Sequence, residues 1–276
     1  MNESGAFSVL MSVYQAEKPE NLTSAVESVF SQELCPAELV LVKDGPLTPA
    51  LDQAINRLAK NHPALRVVAL SRNRGLGAAL NIGLTSCTYD LVARMDSDDL
   101  CTADRFAKQI PLFDGDRQLA VVGGWVGEFD SDPSSIFAVR RVPESSAEIE
   151  RYARRRCPVN HPSVVFRKSA VLAVGGYSAK HLQEDYYLWA RLMLAGFRFF
   201  NVPNVVVLMR TGEGLYTRRG GLTYALAELK LFVDFYRMRF VGLGGLAINV
   251  AERSLIRLMP TKLRKLLYQR FARSRP

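Results

Sequence analysis

The first hundred residues alternate short, wholly apolar runs with stretches of helical periodicity, and charged or polar residues follow each run. Phe7 to Val13 reads as a buried strand ending at Tyr14. From Pro19, a residue suited to a first helical turn, Leu22, Ala25, Val26, Val29 and Phe30 recur at helical spacing. Leu39 to Val42 predicts a second strand, broken by Asp44-Gly45-Pro46, and Thr48 before Pro49 opens a helix through Ile55 and Leu58. Arg66 to Leu70 predicts a third strand, Gly75 to Leu84 a helix, and Asp90 to Met95 a fourth strand running into Asp96-Ser97-Asp98-Asp99.

Such alternation predicts an α/β fold, Rossmann-like, with a mostly parallel mixed sheet flanked by helices. Ligands of these sheets gather outside the carboxyl ends of the strands. Asp44-Gly45, Arg72-Asn73 and the acidic tetrad all fall there, which predicts one shared crevice. Beyond Leu100, Thr102 is placed to cap a helix over Phe106, Ile110 and Phe113. Strands are expected at 119–123, 136–142, 163–166 and 205–209, and helices at 144–156 and 184–195. From Leu215 the periodicity is helical only, dividing the chain into a domain over residues 1–214 and a basic helical extension over 215–276.

Three segments carry chemistry. Carboxylates two residues apart after a strand can share a divalent cation, and hard ions such as Mg2+ or Mn2+ prefer oxygen ligands and phosphates. The same acids suit a helix cap, and Asp99 stands between capping and support of the site. Ser71 to Asn81 combines glycines with Arg72 and Arg74, which suits either a loop approaching a nucleotide or a tight turn with solvated arginines. It lacks the third glycine of a dinucleotide fingerprint. Glu184-Asp185 opens an amphipathic helix, where the macrodipole alone favours acids. A general base is the functional reading of that pair.

Other chemistries find no support. His62, His161 and His181 have no metal-ligand spacing, and no GxSxG elbow is present. Cys35, Cys87, Cys101 and Cys157 form no CxxC pair and suit a reducing compartment. Met1 to Ala6 shows no signal-peptide pattern, so a cytoplasmic location is expected.

Taken in order, Phe7 to Tyr14, Val42-Lys43-Asp44-Gly45-Pro46, Arg72-Asn73-Arg74-Gly75, the tetrad, His161-Pro162-Ser163 with Gly175-Gly176-Tyr177, and Glu184 to Trp189 resemble family 2 of the inverting glycosyltransferases, which have the GT-A fold. The Asp-Gly-Pro variant looks like bacterial amylovoran, O-antigen and exopolysaccharide enzymes. The resemblance runs from Phe7 to about Thr211. It implies sugar transfer from a nucleotide diphosphate donor, usually a UDP-sugar, to a hydroxyl of a glycan acceptor, often polyprenyl-diphosphate-linked. It further implies that Val13 and Tyr14 lie against the nucleotide, Asp44 binds the base, and Arg72 holds the nucleotide. Asp96 would contact the ribose or sugar, Asp98 would coordinate Mg2+ or Mn2+, and Asp185 would deprotonate the acceptor. His161, Glu184 and Trp189 are candidates to line the site or meet the acceptor. Where many relatives carry two acids before the glycine, this chain has Lys43-Asp44, which leaves one carboxylate for the base.

Two other function classes compete. A sugar-nucleotide nucleotidyltransferase shares such a crevice, but a Gly-rich basic loop is expected after its first strand, where this chain has Ser12-Val13-Tyr14-Gln15. A non-catalytic nucleotide-sugar-binding protein would have no need of Asp96, Asp98 and Asp185 together.

Charge separates the two parts of the chain. Residues 216–276 hold 13 Lys/Arg against 3 Asp/Glu, a balance of +10 where the whole chain carries +9. No DNA- or RNA-binding motif accompanies them, so nucleic acid is not an expected partner. A solvated helical face is one reading of this segment. The other is a segment lying on an anionic membrane surface, the cytoplasmic face of the inner membrane. The apolar run Phe240 to Val250 is far shorter than the ~20 residues needed to span a bilayer.

Overall fold

Strands that are apolar on both sides need cover on both sides, and the first half of the chain is built to supply it. A computed structural model describes residues 5–178, 182–211 and 222–258. Strands β1 (Ser8–Val13), β2 (Glu38–Lys43), β3 (Leu65–Ala69) and β4 (Leu91–Asp96) lie parallel in the order β3-β2-β1-β4. Helices α1 (Pro19–Phe30), α2 (Pro49–Asn61) and α3 (Leu76–Ser86) connect them. Thr48 caps α2 as expected, its hydroxyl accepting from the Leu51 amide at 3.3 Å. Phe7, Val9 and Met11 face α1 and α2, whereas Leu10, Val40 and Val42 face α3.

The register fixes where the strands end. Val13 pairs with Lys43, Lys43 with Ala69, and Ser12 with Asp96. Tyr14, Asp44, the segment after Ala69 and the acidic tetrad therefore share one sheet edge, as the sequence predicts.

After β4 the topology changes hand. Strand β8 (Val165–Arg167) runs antiparallel between β4 and β6 (Leu119–Phe129). Beyond β6 come β9 (Arg198–Arg210), parallel to it, and β5 (Leu100–Cys101), antiparallel to β9, while β7 (Ala138–Arg140) pairs β6 from the side. Helices α4 (Arg105–Gln109), α5 (Ser146–Ala153), α6 (Lys168–Ala173) and α7 (Glu184–Leu194) complete this half.

Several expectations change here. Thr102 does not cap a helix: its amide bonds Val206 O at 3.1 Å, which keeps it extended beside β9, and Asp104 takes the N-cap position of α4. The strand expected at 119–123 continues to Phe129 through Gly123-Gly124. Those glycines admit neighbours rather than break the strand, since a Cβ on Gly124 would lie 2.5 Å from Val206 Cγ2. His161–Ser163 forms a 3-10 turn before β8, and the short α6 carries no periodicity long enough to read.

Helices α8 (Leu222–Arg237) and α9 (Leu243–Leu258) meet the helical expectation within the described residues. His181 and most of the basic residues counted after 216 lie outside them. Helix α8 packs on α7 through rings: Phe235 stands edge-on to Tyr186 at 4.9 Å, to Phe232 at 5.3 Å and to Phe240 at 5.1 Å. Among the described residues no helix is long and apolar enough to cross a membrane.

Phe235 is fully buried where four rings meet. Phe235→Ala is expected to lower the unfolding free energy by about 3–5 kcal/mol. The check is a lowered urea midpoint with an unchanged slope.

Candidate active site

The site is built outward from one strand. In β4, Ala93 and Met95 point into one core, while Arg94 and Asp96 share the opposite face two residues apart. Arg94 is only 2 % exposed and donates through both terminal nitrogens to the two oxygens of Asp96, Nη1 to Oδ2 at 2.6 Å. Planar guanidinium and planar carboxylate match in this bidentate arrangement. Behind the strand, the fully buried Arg105 donates to Arg94 O at 2.8 Å, Val164 O at 3.3 Å and Gln109 Oε1 at 3.1 Å.

The rest of the tetrad divides its tasks. Ser97 Oγ donates to Glu17 Oε2 at 2.9 Å. Asp98 is half-buried, and burial together with the charges of Asp96 and Glu17 pushes its carboxyl up to about 6. Asp99 is buried, and its Oδ1 accepts from the Arg210 amide at 3.0 Å, fastening the end of β9. Asp99 therefore ties the end of β4 to β9, and Asp104 rather than Asp99 takes the N-cap position of α4. Its Oδ2 is buried without a hydrogen-bond partner, and burial with the two neighbouring aspartates raises its pKa well above the ordinary value.

Asp44 shapes the adjoining loop. Its carboxylate accepts from Arg74 N at 2.7 Å and Gly75 N at 3.0 Å, and its carbonyl accepts from Asn73 Nδ2 at 3.3 Å. Gly45 lets the two segments meet: its φ is +90°, and a Cβ there would lie 2.5 Å from Asn73 N. Both Asp44 oxygens thus already hold the loop, and any contact with a base shares them. Lys43 turns away to Asp52 at 2.5 Å. Arg72, Asn73 and Arg74 border an open cleft of about 540 Å³ that runs along α3 to Asn81. Of the pair at the end of β1, the Val13 side chain is sealed in the core, while Tyr14 is 46 % exposed at the rim.

The opposite wall is the start of α7. A Cβ on Gly77 would sit 3.6 Å from both Glu184 Cγ and Tyr177 Cβ, so α3 and α7 converge closely. Burial and the charge of Asp185 push Glu184 up to about 7. Asp185 Oδ2 lies 3.7 Å from the Cys157 thiol. Tyr177 is clamped to α3 by Asn81, whose side chain accepts from its amide and donates to its carbonyl, both at 2.8 Å. Its hydroxyl meets His161 Nε2 at 3.0 Å, and burial with the nearby Arg94 charge keeps His161 neutral. Trp189 is fully buried, edge-on to His161 and Phe199, so it backs the wall from the core and presents no surface to an acceptor.

The structure thus gathers Asp96, Asp98, Glu184 and His161 around Arg94, whose charge acts on each of them. Tyr14, Asp44 and Arg72 line the adjoining strand ends. Sequence reasoning missed Arg94, although a charged residue inside an apolar strand two positions before an acid was a usable signal. Glu17 and the Asn81–Tyr177 clamp left no comparable trace.

Among the described residues, no three His, Cys, Asp or Glu side chains are grouped to enclose a metal ion. What they offer is different: the half-buried Asp98 carboxyl stands at the end of β4 beside the charges of Asp96 and Glu17, with no cation of the described residues paired to it through its side chain. That donor set fits a hard divalent cation whose other ligands come from phosphate and water.

Comparison with known proteins agrees with the geometry. The family model "Glycosyl transferase family 2" matches residues 8–172. The chain is 35% identical over 267 residues to the UDP-Gal:alpha-D-GlcNAc-diphosphoundecaprenol beta-1,3-galactosyltransferase of Escherichia coli, covering 97% of this chain and 96% of that one. It is 39% identical over 264 residues to the amylovoran biosynthesis glycosyltransferase AmsE of Erwinia amylovora, covering 96% and 98%. Among solved structures, the mannosyltransferase PcManGT from Pyrobaculum calidifontis in complex with GDP-Man and Mn2+ superposes with a TM-score of 0.65 at 18% identity, over 97% of this chain and 80% of that one. The fold is the GT-A fold.

Glu184 titrates at about 7 in the fold against an ordinary 4.5, so the folded chain holds this proton more tightly than the unfolded one. The stability it contributes is complete below pH 4.5 and is lost as pH rises through about 7. Glu184→Gln is therefore expected to gain on the wild type as pH rises across this window, measured by urea unfolding. A constant difference between the two proteins from pH 4.5 to 8 would contradict the burial of this carboxyl.

Proposed function

The chain belongs to glycosyl transferase family 2, and we propose that it moves a sugar from a UDP-sugar to a hydroxyl of a polyprenyl-diphosphate-linked glycan, with inversion at the anomeric carbon. The observation that carries this reading is the convergence of Asp96 and Asp98 with the Glu184-Asp185 start of α7 around one buried arginine, at the edge where strand ends bind ligands. The donor and acceptor classes draw support from the Escherichia coli relative, whose name specifies UDP-Gal and a diphosphoundecaprenol acceptor. The reaction would serve surface polysaccharide synthesis, with the protein peripheral on the cytoplasmic face of the inner membrane.

Each residue then has a task. Tyr14 presents its exposed ring to the base, and Asp44 holds the loop from which Arg72 reaches the nucleotide. Asp96, fixed in orientation by Arg94, receives a hydroxyl of the ribose or sugar. Asp98 would hold Mg2+ or Mn2+, and such a cation, when bound, stabilises the charge growing on the leaving diphosphate. Asp185 accepts the acceptor hydroxyl proton as its oxygen attacks from the face opposite the diphosphate. A single displacement inverts configuration and needs no carboxylate nucleophile.

Two substitutions separate these tasks. Asp98→Ala is expected to abolish the metal-dependent part of UDP-sugar binding, measured by titration calorimetry with and without Mn2+. Asp185→Asn is expected to keep that binding and lower transfer by about 10²–10⁴-fold. Wild-type transfer by Asp185→Asn would remove it as the base.

A further inference from the structure

Helix α9 has one face that nothing in the described structure covers. Leu243 is 67 %, Ile248 51 % and Leu255 67 % exposed, and Gly244, Ala247 and Ala251 between them are exposed as well. At 3.6 residues per turn these six positions span an arc of roughly 140°. No charged residue falls inside the arc. The next residue round, Glu252, is neutralised by Arg155 at 2.8 Å. The other side of α9 is occupied: Asn249 donates to Arg154 O at 3.0 Å, and Arg253 reaches Glu228 at 2.6 Å.

Beside the arc lies a cavity of about 370 Å³, with Arg154 and Arg155 on one wall and Val241, Gly245 and Ile248 on the other. Arg156, at the same end of α5, is also exposed. The chain that follows α9, residues 259–276, contains six Lys/Arg and no Asp/Glu. An uncharged helix face is thus flanked by arginines and continued by a wholly cationic segment.

We propose that this face of α9 docks on an anionic bilayer, with Leu243, Ile248 and Leu255 entering the boundary between headgroups and acyl chains. Arg154 and Arg156 then stand at the level of the lipid phosphates. The inference deepens the membrane-peripheral reading above and rests on it for biological purpose, but it moves the contact from charge alone to a defined apolar surface. A second copy of the chain would cover the arc yet set one arginine rim against another. Among the described residues, Glu252 is the acid beside this face, and Arg155 already pairs with it. Anionic lipid satisfies both the apolar arc and the basic rim. Because α8 packs on α7 through Phe232, Phe235, Tyr186 and Tyr187, docking would also fix the height of Glu184-Asp185 above the lipid surface.

Flotation of the full-length protein with vesicles tests this directly. The wild type is expected to float with phosphatidylcholine vesicles containing phosphatidylglycerol and far less with phosphatidylcholine alone. The double variant L243E/I248E, altered only at exposed positions, is expected to bind the anionic vesicles at least about tenfold more weakly. Its urea midpoint and its lipid-free hydrolysis of UDP-sugar should match the wild type. Equal flotation of the variant and the wild type would overturn the proposal. So would a wild-type dimer in solution that the variant dissociates, which would assign the face to a second copy. Flotation needs no turnover, so failure of the proposed reaction would show in hydrolysis and leave this result standing.

Discussion

Taking an arginine out of water costs several kcal/mol unless its charge is met by a well-aligned partner. Arg94 is met by Asp96, two residues along the same strand, in a bidentate geometry that engages both carboxylate oxygens at once. The pair leaves Asp96 a single orientation, and Arg105 holds the strand behind it by its backbone. Asp96, Asp98, Asp99 and Glu184 all lie within reach of that buried cation. Asp98 and Glu184 feel it as a partial compensation, and His161 is kept neutral beside it. The result is a site in which charge is concentrated but not balanced, which suits a ligand that brings both phosphate and a cation.

How much of this the sequence revealed follows from which forces act locally. The first four strands and three helices were readable because each is bounded by its own signals, such as Thr48 with Pro49 or the Asp44-Gly45-Pro46 break. Their shared edge followed from parallel topology alone. The second half depends on contacts distant in sequence. Gly123 and Gly124 look like breakers until Val206 and Asn201 are seen against them, and Thr102 looks like a cap until its amide is found on β9. Val13 and Trp189 show the same limit at the site: motif position placed both near the ligand, whereas packing turns both side chains inward.

Asp44 is the most instructive case. Motif reasoning gave it to the nucleobase, and the structure shows both of its oxygens already holding the Arg74 and Gly75 amides. Lys43, which stands where many relatives have another acid, is engaged with Asp52. In the proposed reaction, base recognition would draw on the shape of the 72–75 loop and on the exposed Tyr14 ring as well as on a carboxylate.

The Asn81–Tyr177 clamp joins residues 96 positions apart. Closing so long a loop costs more chain entropy than forming a local helix, and the paired hydrogen bonds of the clamp offset part of it. Strands β1 to β4 lie within residues 8–96, whereas the wall that carries Asp185 begins only at Glu184. The crevice is therefore closed by two segments from opposite ends of the described catalytic fold, and neither wall is complete without the other.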